Sequence, residues 1–346
     1  MATATAAAHP NLALVKYWGQ RDPALNIPAN GSISVNLSGA TTTTSVTFDA
    51  GLAADTVYLN GAPADAETAH RVRVHLDRVC ARAGVRDCAQ VVSHNDFPAD
   101  VGVASSASAF AALSLAAATA AGLSLSTQTL SILARKGSGS ACRSVPDGFV
   151  EWLPGCDDAS SYARSLAPCD HWDLRVITVA FATTPKAVPS LEGHQAAPSS
   201  PFYQARLHEV MRTLAGVRDA ILARDFDALS LTVEREALSL HAVAMTSRPA
   251  ARPWVSGILY LAPETVQLLH AVQGWRRDGL PVAFTLDAGP SVHLICEGPL
   301  LRQVLDALDA AAPDRATTIV SRPGRGAWLV QENDGASAPS DTSCIS

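Results

Sequence analysis

Three residues far apart in the chain have the types that proton transfer and anion binding call for. Asp287 ends the apolar run of AFTLDAGPSVHL and precedes a Gly-Pro turn, where a carboxylate can be held half-buried and aimed at a substrate. Arg143, in RKGSGSACRS, offers a planar fork to a carboxylate or phosphate, beside glycines and serines whose backbone can approach an anion closely. Lys16 sits in the strand-like run NLALVKYW. A fourth segment, FPADVGVASSASAF, brings Gly102, Ser105, Ser106 and Ser108 to the start of a helix, where free N–H groups and the helix dipole favour an anion. Each has a plainer reading: a turn aspartate, a solvated loop, an edge-strand lysine, and an Ala/Ser helix packed closely on a sheet.

Several chemistries are absent from the pattern. No histidine pair has HExxH spacing, no GxSxG elbow occurs, and the Ser-rich segment is neither a GxxxxGK[ST] loop nor a GxGxxG turn. The seven cysteines form no CxxC pair, so neither a zinc site nor a disulfide framework is expected, and reduced thiols suit the cytoplasm. A net charge of -6 without a basic run argues against nucleic acid or an anionic membrane as partner. The N-terminus lacks the basic start and apolar core of a signal peptide, and no apolar stretch reaches spanning length. The expectation is a soluble cytoplasmic protein that takes a small anionic substrate through local cations.

Periodicity supplies the elements that must position these residues. Residues 41–48 and 56–60 read as strands of a hairpin or meander, 66–84 as a helix with Val72, His75, Leu76 and Val79 on one face, and 89–95 as a strand. Helices follow at 105–121, stopped by Gly122, and at 126–137, opened by a serine cap. Strands at 148–154 and 174–182 lead into TTPKAVPSLEGHQAAPSSPF, which reads as a long loop, a domain boundary or lid. Helices are expected at 201–223, 225–245 and 262–278, then two strands around the Gly-Pro turn, a helix at 299–311 and two short strands. The mixture without strict alternation predicts an α+β fold, and the polar residues 333–346 read as a disordered tail.

Taken in order, NLALVKYWGQRDPALNIPANGSISVNLS, PADVGVASSAS, RKGSGSACRS, SLHAVAMTS and FTLDAGPSVHL resemble the mevalonate diphosphate decarboxylase family of the GHMP kinase superfamily. The resemblance implies a GHMP fold: an N-terminal α+β half over residues 1–183, like a domain of a ribosomal protein and holding the nucleotide, and a ferredoxin-like C-terminal half over 184–332. It implies ATP and Mg²⁺, phosphorylation of a tertiary hydroxyl, loss of that phosphate with CO2, and a homodimer. By the same resemblance Asp287 is the catalytic base and Lys16 keeps it ionised, while Arg143 pairs with the substrate carboxylate. Asn11, Tyr17, Gln20, Ser138, Gly139, Ser140 and Ser190 line the substrate side. Gly102, Ser105, Ser106 and Ser108 hold the ATP phosphates, with Ser106 at the metal.

Two positions depart from the family pattern. Its KYWGK motif here ends in Gln20, and Leu191 stands where users of the diphosphate have Thr or Arg. A neutral amide in place of a cation removes attraction for a second phosphate. The expected substrate is therefore 5-phosphomevalonate and the product isopentenyl phosphate. The diphosphate enzyme, a kinase that stops at the phosphorylated alcohol, and a non-catalytic binding protein remain as alternatives, although the last would be expected to lose Asp287, Lys16 or Arg143.

Overall fold

The computed structural model describes residues 2–84, 87–98, 105–181, 188–312 and 314–331. The chain opens with β1 (Ala2–Ala8), β2 (Asn11–Val15), a small β3 (Gln20–Asp22) and β4 (Ile27–Pro28) pair, β5 (Ser32–Asn36), β6 (Thr42–Asp49), β7 (Thr56–Leu59) and β8 (Ala62–Pro63). Next come α1 (Ala66–Ala83), β9 (Cys88–Asn95), α2 (Ser105–Ala120), α3 (Thr127–Gly137), a 3-10 turn at Gly139–Ser144, β10 (Phe149–Leu153), β11 (Tyr162–Ala167) and β12 (Leu174–Ala180). The remainder is α4 (Ser190–Ala196), α5 (Tyr203–Ala223), α6 (Phe226–Thr246), α7 (Pro263–Arg277), β13 (Ala283–Leu286), β14 (Val292–Glu297), α8 (Leu301–Ala311), β15 (Thr317–Ser321) and β16 (Trp328–Leu329).

These elements build an α+β molecule around three main sheets, ordered β16-β1-β6-β9-β7-β8, β11-β10-β5-β2 and β13-β14-β12-β15. The expected pairing of β6 with β7 does not form. β9 lies between them, antiparallel to β6 and parallel to β7. β6 alternates buried and half-buried residues, so Val46 and Phe48 face the core while Thr42 and Thr44 on the same face bond to hydroxyls of Ser108 and Ser93. α2 is buried along most of its length, because alanine and serine let it lie close on that sheet. α1 starts on Asp65, whose side chain accepts the Thr68 N–H, and stops at Gly84 with φ +71, as its pattern predicts.

The second sheet packs its Leu12, Ile33, Val35 and Phe149 against α5 and the first half of α6. The third packs Ile177, Phe284, Leu286 and Leu294 against α7 and α8. β12 precedes the expected division at residue 184, yet it is a central strand of this third sheet. From the far end of the chain, β16 pairs with β1.

The segment expected to be a long loop is partly helical. α4 and a 3-10 turn at Ala197–Ser199 carry Gly193, His194, Ala196 and Ala197 into the interior, where they meet Trp18, Tyr203 and Tyr260. Its proline and serine content signals turns, and tertiary packing of those four residues overrides the signal. RKGSGSACRS is likewise not a solvated loop, since its Gly139–Ser144 turn is buried apart from a half-buried Ser140. The 333–346 segment lies outside the described residues.

Candidate active site

Lys16 lies one residue beyond β2, and Asp287 lies one residue beyond β13, so two sheets deliver them to one point. Lys16 Nζ is 2.7 Å from Asp287 Oδ1 and also donates to the Ala13 carbonyl at 2.5 Å. The lysine side chain is 3% exposed and the aspartate 32%, so the carboxylate is the accessible member of the pair and the ammonium backs it. This corrects the plainer reading of Lys16 as an exposed edge lysine. Burial pulls the Lys16 pKa below its ordinary value, opposed first by Asp287 and then by Glu236. Burial pushes the Asp287 carboxyl up, but Lys16, with His293 and Arg143, outweighs it, and the net shift is downward. The pair therefore presents an ionised carboxylate at neutral pH.

Two histidines pack beside it. His293, on β14, shares a 3.0 Å hydrogen bond with Thr178, and His241 is on α6. Burial lowers both to about 4, Lys16 adding to the effect, so both are neutral when Lys16 is charged.

Arg143 comes from the 3-10 turn and is buried. Its Nη1 donates to Ser32 Oγ at 2.7 Å and its Nε to Asn11 Oδ1 at 3.1 Å, while its guanidinium lies over the rings of Tyr17 and Trp152. Asn11 in turn donates to the Ser140 carbonyl and to Ser144 Oγ. Tyr17 is stacked on His194 at 4.5 Å and, pushed up to about 12 by burial, keeps its proton. Gly139 has no room for a side chain, since a Cβ there would stand 2.8 Å from the Tyr17 hydroxyl. Asn11, Tyr17, Ser138, Gly139, Ser140, Arg143 and the Lys16–Asp287 pair thus converge.

α2 brings Ser106 to the same place, with its hydroxyl 3.2 Å from that of Ser138, which is 3.5 Å from that of Ser140. No acidic residue occupies the first turn of α2. A hydroxyl-lined, carboxylate-free helix start fits phosphate oxygens. Ser108 differs: it is fully buried, and its hydroxyl bonds to Thr42 Oγ1 at 2.6 Å and to the Ser105 carbonyl, so it ties helix to sheet instead of facing a ligand. Gly102 lies outside the described residues. No cluster of three histidine, cysteine or acidic side chains suited to a metal occurs among the described residues, so a divalent ion here would rest on phosphate and hydroxyl oxygens.

At the other end of the opening segment, Gln20 Nε2 donates to Asn26 Oδ1 at 2.9 Å, and Asn26 holds the carbonyl of Arg135 at the end of α3. Nearby, Lys136 is 2.7 Å from Asp158, and Arg21 donates to the Gly155 carbonyl. Ser190 opens α4, Leu191 is exposed, and Glu192 pairs with Arg252.

Four residues of the site escaped sequence reading. His194 accepts the Gly19 N–H at 3.1 Å and packs on Tyr17 and Trp18, locking α4 to the opening segment. Arg206, Glu236 and Asn30 bond to the backbone of Lys16. The helix itself was expected at 225–245, but only SLHAVAMTS, which contains His241, connected it with the other family segments.

Comparison with known proteins completes the assignment. Residues 8–163 match the diphosphomevalonate decarboxylase-like N-terminal domain, and residues 176–336 match the mevalonate 5-diphosphate decarboxylase C-terminal domain. The chain belongs to this decarboxylase family. Like its relatives, the decarboxylase is an ATP-dependent carboxy-lyase with the GHMP kinase fold. It is 36% identical to the diphosphomevalonate decarboxylase of Aspergillus fumigatus over 83% of this chain and 75% of that one. It is 35% identical to the phosphomevalonate decarboxylase of Haloferax volcanii over 84% and 87%. Against the mevalonate diphosphate decarboxylase from Enterococcus faecalis the TM-score is 0.85 at 33% identity, covering 95% of this chain and 99% of that one. A further solved relative, at 34% identity and a TM-score of 0.87, is in complex with MVAPP, AMPPCP and magnesium. No helix among the described residues is long and apolar enough to cross a membrane.

Proposed function

We propose that the decarboxylase acts on 5-phosphomevalonate, converting it with ATP to isopentenyl phosphate, ADP, phosphate and CO2. The observation that carries this reading is Gln20. The family's lysine is replaced there by an amide whose nitrogen is committed to Asn26, and the adjacent cation Lys136 is paired with Asp158. A terminal phosphate at that end would meet fewer unshared charges. The relative from Haloferax volcanii, which carries the monophosphate name, is nearly as similar as the relative that carries the diphosphate name. The diphosphate as substrate is the second reading, favoured by the names of most relatives, and would draw on Arg21, whose guanidinium donates to the carbonyls of Pro154 and Gly155.

The geometry supports these roles. Asp287 accepts the proton of the tertiary hydroxyl as its oxygen attacks the terminal phosphorus of ATP and ADP departs. Lys16 holds Asp287 ionised until that moment and then faces the reacting oxygen. Arg143, with Nε and Nη1 already engaged, turns its Nη2 edge to the substrate carboxylate. When the tertiary C–O bond of the phosphorylated alcohol breaks, phosphate leaves with the electron pair; the carboxylate C–C bond then supplies the electrons of the new double bond, releasing CO2. Ser138, Ser140 and Ser190 bind the substrate, Ser105 and Ser106 the nucleotide phosphates. Ser106, together with those phosphates, would hold Mg²⁺, which would supply charge neutralisation.

Initial rates with 5-phosphomevalonate and 5-diphosphomevalonate, following ADP and CO2 in the same samples, test the assignment. The monophosphate is expected to give the higher kcat/KM with equal ADP and CO2. A higher value for the diphosphate overturns it.

A further inference from the structure

β2 is an edge strand, paired with β5 on one side only, and Lys16 follows it. The backbone of Lys16 is nevertheless saturated by side chains. Its N–H donates to Glu236 Oε1 at 2.9 Å, and its carbonyl accepts from Arg206 Nη2 at 2.9 Å and from Asn30 Nδ2 at 3.0 Å. Arg206 and Glu236 are themselves joined two-fold, at 2.8 and 2.6 Å, with side chains 2% and 3% exposed. One carboxylate and one guanidinium thus give residue 16 the acceptor and donor that a neighbouring strand would give.

A buried ion pair is a poor way to gain stability, because apolar side chains of similar volume commonly do as well. What apolar residues lack is the means to fix a peptide unit. The Lys16 side chain reaches back to Ala13 and across to Asp287, so the placement of its own peptide decides whether the ammonium meets the carboxylate. α6 acts on both partners. Glu236 holds Lys16, and Glu234, two residues away and anchored by Arg276 at 2.7 Å, accepts the N–H of Phe284 on β13, the strand that ends at Asp287. We infer that Glu236, seated by Arg206, is a positioning residue that aligns Lys16 with Asp287. The inference rests on the reading of that pair as the reaction centre.

Glu236 also bears on the charge of Lys16. The groups facing the ammonium are Asp287 beyond β13, His293 on β14, Glu236 and His241 on α6 and Arg143 on the 3-10 turn, with Arg206 on α5 paired to Glu236 and bonded to the Lys16 carbonyl. Among them, Asp287 and then Glu236 favour the charged form.

The chain contains three lysines, at 16, 136 and 186, so lysine-selective isotope labelling gives a resolvable spectrum, assigned with Lys136→Arg and Lys186→Arg. In Glu236→Gln the Lys16 titration midpoint is expected to fall. Its kcat should drop roughly 10- to 100-fold while KM for both substrates moves less than about threefold. Should that variant fail to fold with Arg206 left unpaired, Arg206→Met combined with Glu236→Leu should restore the Tm but not kcat. A folded double variant with kcat within about twofold of the parent, or an unmoved Lys16 midpoint in folded Glu236→Gln, overturns the inference. The titration does not depend on which substrate is turned over. If the parent decarboxylates neither mevalonate phosphate, the proposed function falls while the lysine spectrum still judges Glu236.

Discussion

Lys16 and Gln20 stand four residues apart on one segment and are held in opposite ways. Lys16 is fully buried, its backbone fixed by three side chains and its ammonium by two oxygens. Gln20 is half-buried, with an amide hydrogen bond to Asn26 and a side-chain oxygen that has no partner among the described residues. Under the proposed function, the reacting end is over-determined and the recognition end is not. A change at residue 16 disturbs several elements at once, whereas a change at residue 20 disturbs one neighbour, so substrate choice can shift at that end without touching the chemistry.

The contrast is sharpest where the largest loss is expected. Asp287→Asn keeps the shape but removes the proton acceptor, and kcat should fall by about 10² to 10⁴-fold with little change in KM. Single-turnover ADP release measures this, and a loss below tenfold would detach Asp287 from the chemistry. At the other end, Gln20→Lys should leave kcat for the monophosphate within about twofold and move the kcat/KM ratio toward the diphosphate by about tenfold, equivalent to roughly 1.4 kcal/mol. An unchanged ratio would show that recognition lies elsewhere than residue 20.

A third and smaller effect belongs away from both ends. His75, fully buried between α1 and α2 and bonded to Ser114 at 2.9 Å, is lowered by burial to about 3. The unfolded chain therefore binds a proton near pH 6.5 that the folded chain refuses until about pH 3, and stability falls as pH drops through that interval. His75→Gln should flatten the slope of unfolding free energy below pH 6 by up to about 1.4 kcal/mol per pH unit, with turnover at pH 7.5 unaffected. Urea melts at several pH values report the slope, and an equal slope in both proteins would assign the acid sensitivity to His194, His241 and His293.

The motifs announced the candidate reactive side chains because each carries a rare type in a local context: a carboxylate before a Gly-Pro turn, an arginine among glycines and serines, hydroxyls opening a helix. Their supports were silent. Arg206 and Glu236 sit on helices that the pattern announces without singling out either residue, and their value appears only when tertiary packing lays α5 and α6 beside β2. His194 was hidden in a stretch whose prolines and serines signal a loop. Ser108 shows the converse. Its position in a serine-rich helix start suggests a phosphate ligand, but a helix turns 100° per residue, which carries it to the sheet side.

The return of β16 to pair with β1 bears on how the molecule comes into being. Ala6 and Ala7 meet Leu329 and Trp328, and Leu37 bridges to Pro323, so the first sheet formed from the start of the chain waits for nearly the last described residues to leave the ribosome. Closing so long a loop is costly in entropy and slow, and until it happens an edge of that sheet stays open to other chains. A nascent decarboxylase stalled short of residue 328 would therefore carry a nearly complete candidate site and an unprotected strand together.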